Sequence, residues 1–128
     1  MKKMWVILIF IITIIGLSAC IDDAEEAANR VETYLQALVA QEGEKVSSYS
    51  CNDWEAQAIM EMDSFQAVNP KLIDLDCQQT GSDGEITLVT CQGILVASYN
   101  DEQQEFDLNL RSYEVLEEGG DWRICGYR

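Results

Sequence analysis

The spacing of apolar residues changes along this chain, and each change predicts a different element. The first stretch, Met4 to Leu17, is apolar apart from Thr13 and Gly16 and follows the basic start Met1-Lys2-Lys3. As a helix that run would reach only about 21 Å, against a hydrocarbon core of roughly 30 Å, so it is short for a stable span. Next, Ala24, Ala27, Ala28, Val31, Tyr34, Leu35, Leu38 and Val39 recur on one face of a 3.6-residue period. That pattern predicts a helix from about 23 to 41, opened by Asp22 or Asp23, with Glu25 and Glu26 favourable in its first turn. Gly43 is expected to end it. A shorter helix is expected from Glu44 to Tyr49, with Val46 and Tyr49 inward. A third opens at Asn52, with Glu55 placed as in a capping box and Trp54, Ala58, Ile59, Met62 and Phe65 on one face. Pro70 stops any continuation.

After Pro70 the period falls toward two. Leu72 to Cys77 reads as a strand with Ile73, Leu75 and Cys77 on one side, and Thr80 to Gly84 as a turn. Ile86 to Tyr99 is long and β-rich, with Gly93 as a bulge or bend. Asn100-Asp101-Glu102 turns the chain. Phe106, Leu108 and Leu110 alternate with Asp107, Asn109 and Arg111, a half-buried strand that continues through Tyr113 and Val115. Glu118 to Asp121 is the last turn, and Trp122 to Tyr127 closes the sheet. Helices followed by hairpin-linked strands predict an α+β domain, with helices packed on a curved four-stranded antiparallel meander.

Residues Leu17-Ser18-Ala19-Cys20 follow the basic start and the apolar run, which together make an export signal. They resemble the lipobox of bacterial lipoproteins, in which the cysteine thiol is lipidated and a peptidase cuts just before it. By that resemblance residues 1–19 are the signal, Cys20 carries the lipid, residues 20–23 are a short tether, and 24–128 form the domain. The alternatives are an ordinary secretory signal cut after Ala19 or an uncleaved anchor. A multiply acylated terminus anchors stably, so the resemblance implies a domain tethered to the cell membrane or the outer membrane. Ile21 after the cysteine leaves the choice of membrane open.

Loss of residues 1–19 removes Lys2 and Lys3 but no acid; six basic and 23 acidic residues remain, and the formal charge moves from −15 to −17. Such a surface argues against nucleic acid or anionic lipid as a partner. Of the five cysteines, Cys51, Cys77, Cys91 and Cys125 remain for an exported domain, an even set that reads as two disulfides. Zinc is the rival, but no close cysteine pair and no histidine support it. With the first hairpin centred near Gly84, Cys77 faces Cys91. Centring the next two hairpins puts Cys91 opposite about Ser112, and Ser112 opposite Cys125. Cys91 and Cys125 are then two strands, about 10 Å, apart, so the expected bridges are Cys77 with Cys91 and Cys51 with Cys125.

The element order, the stretch VETYLQALVAQEGEKVSSY beginning at Val31, and the ending Glu118-Gly119-Gly120-Asp121-Trp122-Arg123-Ile124-Cys125 resemble the nuclear-transport-factor-like, or ketosteroid-isomerase-like, cone fold. A cystatin-like sheet with one helix is the near alternative. The resemblance implies a pocket between sheet and helices, which some members use to bind, some to catalyse, while many pair through the sheet into dimers. The isomerase members use a carboxylate base with a tyrosine and a protonated acid. No residue here is matched to that set.

Tyr34, Trp54 and Phe65 are the candidate pocket residues, with Met62 and Trp122 beside them, although plain core packing suits their spacing better. Asp74, Asp76, Asp83 and Glu85 lack a calcium-loop pattern, and Arg111 and Arg123 suit surface pairing better than anion binding. With no histidine, no phosphate loop and no serine elbow, no catalytic residue, metal or cofactor is assigned. The expected role is a non-catalytic envelope module binding a small ligand or a partner protein. A carboxylate–tyrosine enzyme and a sheet-mediated homodimer are the alternatives. An open cavity with convergent polar groups favours a ligand; a space filled by Tyr34, Trp54 and Phe65 favours a surface role.

Overall fold

A computed structural model describes residues 23–128. The signal 1–19, the lipid site Cys20 and residues 21–22 of the tether lie outside the described residues. Three helices, α1 (Asp23–Val39), α2 (Gly43–Ser48) and α3 (Glu55–Ser64), precede five strands, β1 (Lys71–Asp83), β2 (Ile86–Tyr99), β3 (Glu102–Asp107), β4 (Ser112–Glu118) and β5 (Asp121–Tyr127). The fold is α+β, and the sheet is open and antiparallel in the order β1-β2-β4-β5, with β3 also on β2.

Helix α1 buries Ala27, Ala28, Val31, Tyr34, Leu35 and Leu38 of the stripe its periodicity predicts, together with Ala37, which lies beside that stripe; Ala24 and Val39 at its ends are only partly buried. It lies across the sheet against β1, β2, β4 and β5. Its end differs from expectation: Gly43 starts α2, and Gln41 at φ +60 terminates α1 instead. Glu42 N–H reaches Ala37 O and Gln41 N–H reaches Leu38 O, the paired bonds of a Schellman motif. The Gln41 amide donates to Leu38 O and Met62 O, fixing the α1 end to α3. No capping box forms at α3. Trp54 occupies the cap position without a side-chain cap bond, and Trp54 and Glu55 N–H both donate to Cys51 O.

The sheet has five strands where four were expected, because the third is broken. The Asp107 carboxylate accepts from Asn109 N–H, and Leu108–Leu110 wind into a 3-10 turn between β3 and β4. A short polar side chain that bonds its own backbone competes with the ladder. So β3 pairs with the second half of β2 and β4 with the first half. The expected alternation fails at this point: Leu108 is buried, Phe106 is half exposed and Leu110 is 79% exposed.

Two further departures lie in β1. Asp74, at φ +54, interrupts the β1–β2 register between Ile73 and Asp76. Opposite it, Gly93 sits at φ +106 with its missing Cβ position 2.5 Å from Ile73 O, a spot only glycine fits. One inserted residue reverses the facing of what precedes it, so Leu72 packs on the core beside Leu75 while Ile73 turns outward. The expected turn at 80–84 is strand as far as Asp83, since the long β2 supplies partners for Gly81, Ser82 and Asp83. Only Gly84 and Glu85 are left to turn, with Gly84 at φ +61.

The cysteines pair as Cys77–Cys91 and Cys51–Cys125. Cys77 lies opposite Cys91 in the ladder. Cys125 does not face Ser112, which pairs with Thr90 and bonds the backbone of Arg128. It is the extra residue of a bulge, between the pairs Glu114–Gly126 and Val115–Ile124. A bulge re-aims a side chain, here toward Cys51 on the loop before α3. That loop runs parallel to β5, with Cys51 N–H on Ile124 O and Ile124 N–H on Tyr49 O. Backbone and disulfide together therefore hold the start of α3 on the last strand.

Candidate functional site

The break in the third strand leaves space that no side chain among the described residues fills. A cavity of about 760 Å³ opens between the end of α1, α3 and the sheet. Leu35, Leu38 and Val39 of α1 give one wall. Helix α3 turns two faces to the protein: Ala58 and Met62 enter the core, while Gln57, Met60, Glu61 and Ser64, one helical face apart, line the cavity. Leu72 of β1 and Leu95 of β2 contribute from the sheet, and Glu105 to Leu108, Leu110 and Arg111 form the side created by the strand break. Tyr113 and Tyr127 close it on β4 and β5. The lining is mostly apolar, with a small set of polar groups, the composition of a binding site rather than of a solvent-filled groove.

Those polar groups converge. Arg111 Nη1 donates to Glu61 Oε1 at 2.9 Å, joining the strand side to α3. The Glu61 side chain is only 15% exposed and that of Arg111 is 43% exposed, so water screens this pair less than a surface pair. The guanidinium stacks over Tyr127, 4.1 Å from its ring centroid. Tyr127 in turn meets Tyr113 and Trp54 edge-on, at 6.0 and 5.5 Å between ring centroids. Burial, and then the nearby Glu61 charge, push the Tyr113 hydroxyl up to about 12. It therefore stays protonated at neutral pH and presents an O–H at the cavity wall. Partial burial works against the charge on Arg111, but the hydrogen bond and attraction of Glu61 outweigh it and hold the proton more tightly than usual.

Of the candidates read from the sequence, only Phe65 lines the cavity. Tyr34 is fully buried, and its hydroxyl accepts from Trp54 Nε1 at 3.1 Å. That bond spends the polar end of both residues inside the protein, behind Tyr127, and burial raises the Tyr34 hydroxyl well above the ordinary tyrosine range. So Tyr34 and Trp54 support the wall and do not fill the space. Glu61, Tyr113 and Tyr127 were missed, and Arg111 was read as a surface residue. Glu61 falls off the apolar stripe of its helix, as any solvated glutamate would, and nothing local separates it from Glu55 or Asp63. Arg123 does pair at the surface, 3.9 Å from Glu118. Among the described residues one acid–cysteine group is close enough to hold a metal, Cys51, Cys125 and Glu118, and its thiols are spent in a disulfide.

The two disulfides indicate an oxidising, exported environment. Among the described residues no helix is long and apolar enough to cross a membrane. The chain matches no family model, no curated protein and no solved structure.

Proposed function

We propose that this chain is an exported lipoprotein, tethered to a membrane through Cys20, whose domain binds a small and largely apolar molecule without transforming it. The observation that carries the reading is the open apolar cavity with Glu61, Arg111 and Tyr113 converging on one wall. A volume near 760 Å³ suits a drug-sized molecule. A cavity between helices and sheet is also what the cone-fold resemblance implies, and the lipobox resemblance with the two disulfides supports export. The enzymatic alternative needs a carboxylate free to take a proton. Glu61 is committed to Arg111, which favours binding over acid–base chemistry.

The test is mass spectrometry of small molecules extracted from the protein purified from its own membrane. The wild-type chain is expected to carry a molecule that Leu95→Trp, placed on the sheet side of the cavity, excludes. A second variant, Gln57→Trp, narrows the same space from an exposed position on α3 and guards against misfolding of the first. Recovery of the same molecules from wild type and both folded variants would refute the reading. Loss of radiolabelled fatty acid in Cys20→Ala is expected separately; undiminished labelling would refute the anchor.

A further inference from the structure

The charges around the cavity are unequal, and this selects among apolar ligands. Among the described residues Arg111 is the only cation in the lining, and Glu61 already engages it at 2.9 Å. The other charged lining groups are Glu105 and Asp107, both exposed carboxylates on β3 at the cavity mouth. The whole chain carries −15, so the longer-range field has the same sign. An anionic ligand would have to pass two carboxylates and then take Arg111 from Glu61, leaving a poorly exposed carboxylate without its partner. A cationic ligand meets the opposite situation. Glu105 and Asp107 attract it, and the second oxygen of Glu61 accepts from it while the first keeps Arg111.

Resting on the reading of the cavity as a ligand site, we infer that its ligand is an amphiphile with an apolar body and a cationic end, of the primary or substituted ammonium class. The apolar body lies against Leu35, Leu38, Leu72 and Leu95, and the ammonium end sits between Glu61 and the β3 carboxylates. Asp107 has a structural duty as well, since it accepts from Asn109 N–H at 3.2 Å. Asparagine at that position keeps the accepting oxygen and removes only the charge.

Three probes with one body and different ends test this: naphthylmethylammonium, naphthylmethanol and naphthoate. Each is titrated calorimetrically into the matured full chain held in phosphatidylcholine nanodiscs, with protein-free nanodiscs subtracted. The ammonium probe is expected to bind about tenfold more tightly than the carboxylate, with the alcohol between them. That ratio is expected to shrink toward one in the double variant Glu105→Gln/Asp107→Asn and in 1 M salt, where exposed charges are screened. Tighter binding of the alcohol or the carboxylate would overturn the cationic class and leave the cavity as a ligand site. An unchanged ratio in the double variant would also overturn the assignment, because the preference would then arise elsewhere. Binding of none of the three would overturn this inference together with the ligand-site reading.

Discussion

Replacing Tyr113 with phenylalanine removes one oxygen from the cavity wall and leaves the ring packing intact. Tyr113 is 2% exposed, so the ring itself belongs to the core. At neutral pH the phenol oxygen accepts from the Arg111 guanidinium, and its loss is expected to cost about 1 kcal/mol. The balance changes with alkali. In the unfolded chain a tyrosine loses its proton near 10, whereas Tyr113 in the fold holds it until about 12. A raised folded-state value means that the unfolded state deprotonates first, so this contribution is intact below pH 10 and is lost as pH rises toward 12. At pH 11 the loss amounts to about 1 kcal/mol, and at pH 12 to about 2 kcal/mol. Phenylalanine has no proton to lose. Tyr113→Phe should therefore be less stable than wild type at pH 7, and the gap should close and then reverse as pH rises from about 10 toward 12. Urea unfolding followed by tryptophan fluorescence at pH 7, 9, 10 and 11 measures the difference directly. A gap between the two proteins that stays constant up to pH 11 would show that Tyr113 titrates like a free tyrosine. The wall would then be wet, and the account of its burial would fail.

Gly93→Ala places a methyl group 2.5 Å from Ile73 O and 2.7 Å from Asp74 O in a backbone at φ +106, and is expected to destabilise by about 2–4 kcal/mol in denaturant titration. Gly84→Ala, at φ +61 with nothing within 4 Å, is the control and should cost only about 1 kcal/mol; equal losses at the two sites would mean that the bulge at Asp74 is not built as described. Removing Cys51–Cys125 as a serine pair opens a loop of 74 residues and should cost about 4 kcal/mol, against about 3 kcal/mol for the 14-residue loop of Cys77–Cys91. Beyond the general loss of protection, hydrogen exchange should show an extra loss in α3, the helix that bridge holds on β5. Uniform loss of protection without a focus on α3 would contradict that role.

Much of the scaffold was legible before any coordinates. Helix α1 could be read because Ala27, Ala28, Val31, Tyr34, Leu35 and Leu38 repeat at the helical period and bury together. The last two hairpins announced themselves through Asn100-Asp101 and Gly119-Gly120, pairs that accept the positive φ a two-residue turn demands. The even cysteine count, with Cys77 and Cys91 equidistant from Gly84, was enough to anticipate that bridge. These are local signals: each depends on residues a few positions apart, or on counting along one ladder.

What the site depends on is not local. Period-two reading assumes an unbroken ladder, and it cannot register the extra residues at Asp74 and Cys125 or the 3-10 turn that Asp107 starts. Each of those changes which way the neighbouring side chains point, so Ile73 and Leu110 face solvent where strict alternation puts them on the buried side. The pairing of Glu61 with Arg111 joins residues 50 positions apart, and either one alone looks like a solvated charge. Tyr34 and Trp54 read from the sequence as pocket candidates; only the tertiary structure shows that the Trp54 N–H donates to the Tyr34 hydroxyl. The amino-acid pattern alone determined which segments become helix or strand, because those preferences arise from backbone and side-chain neighbours. The cavity is the space left where a strand breaks, and its existence was decided only when α1, α3 and the two halves of β2 had packed around that break.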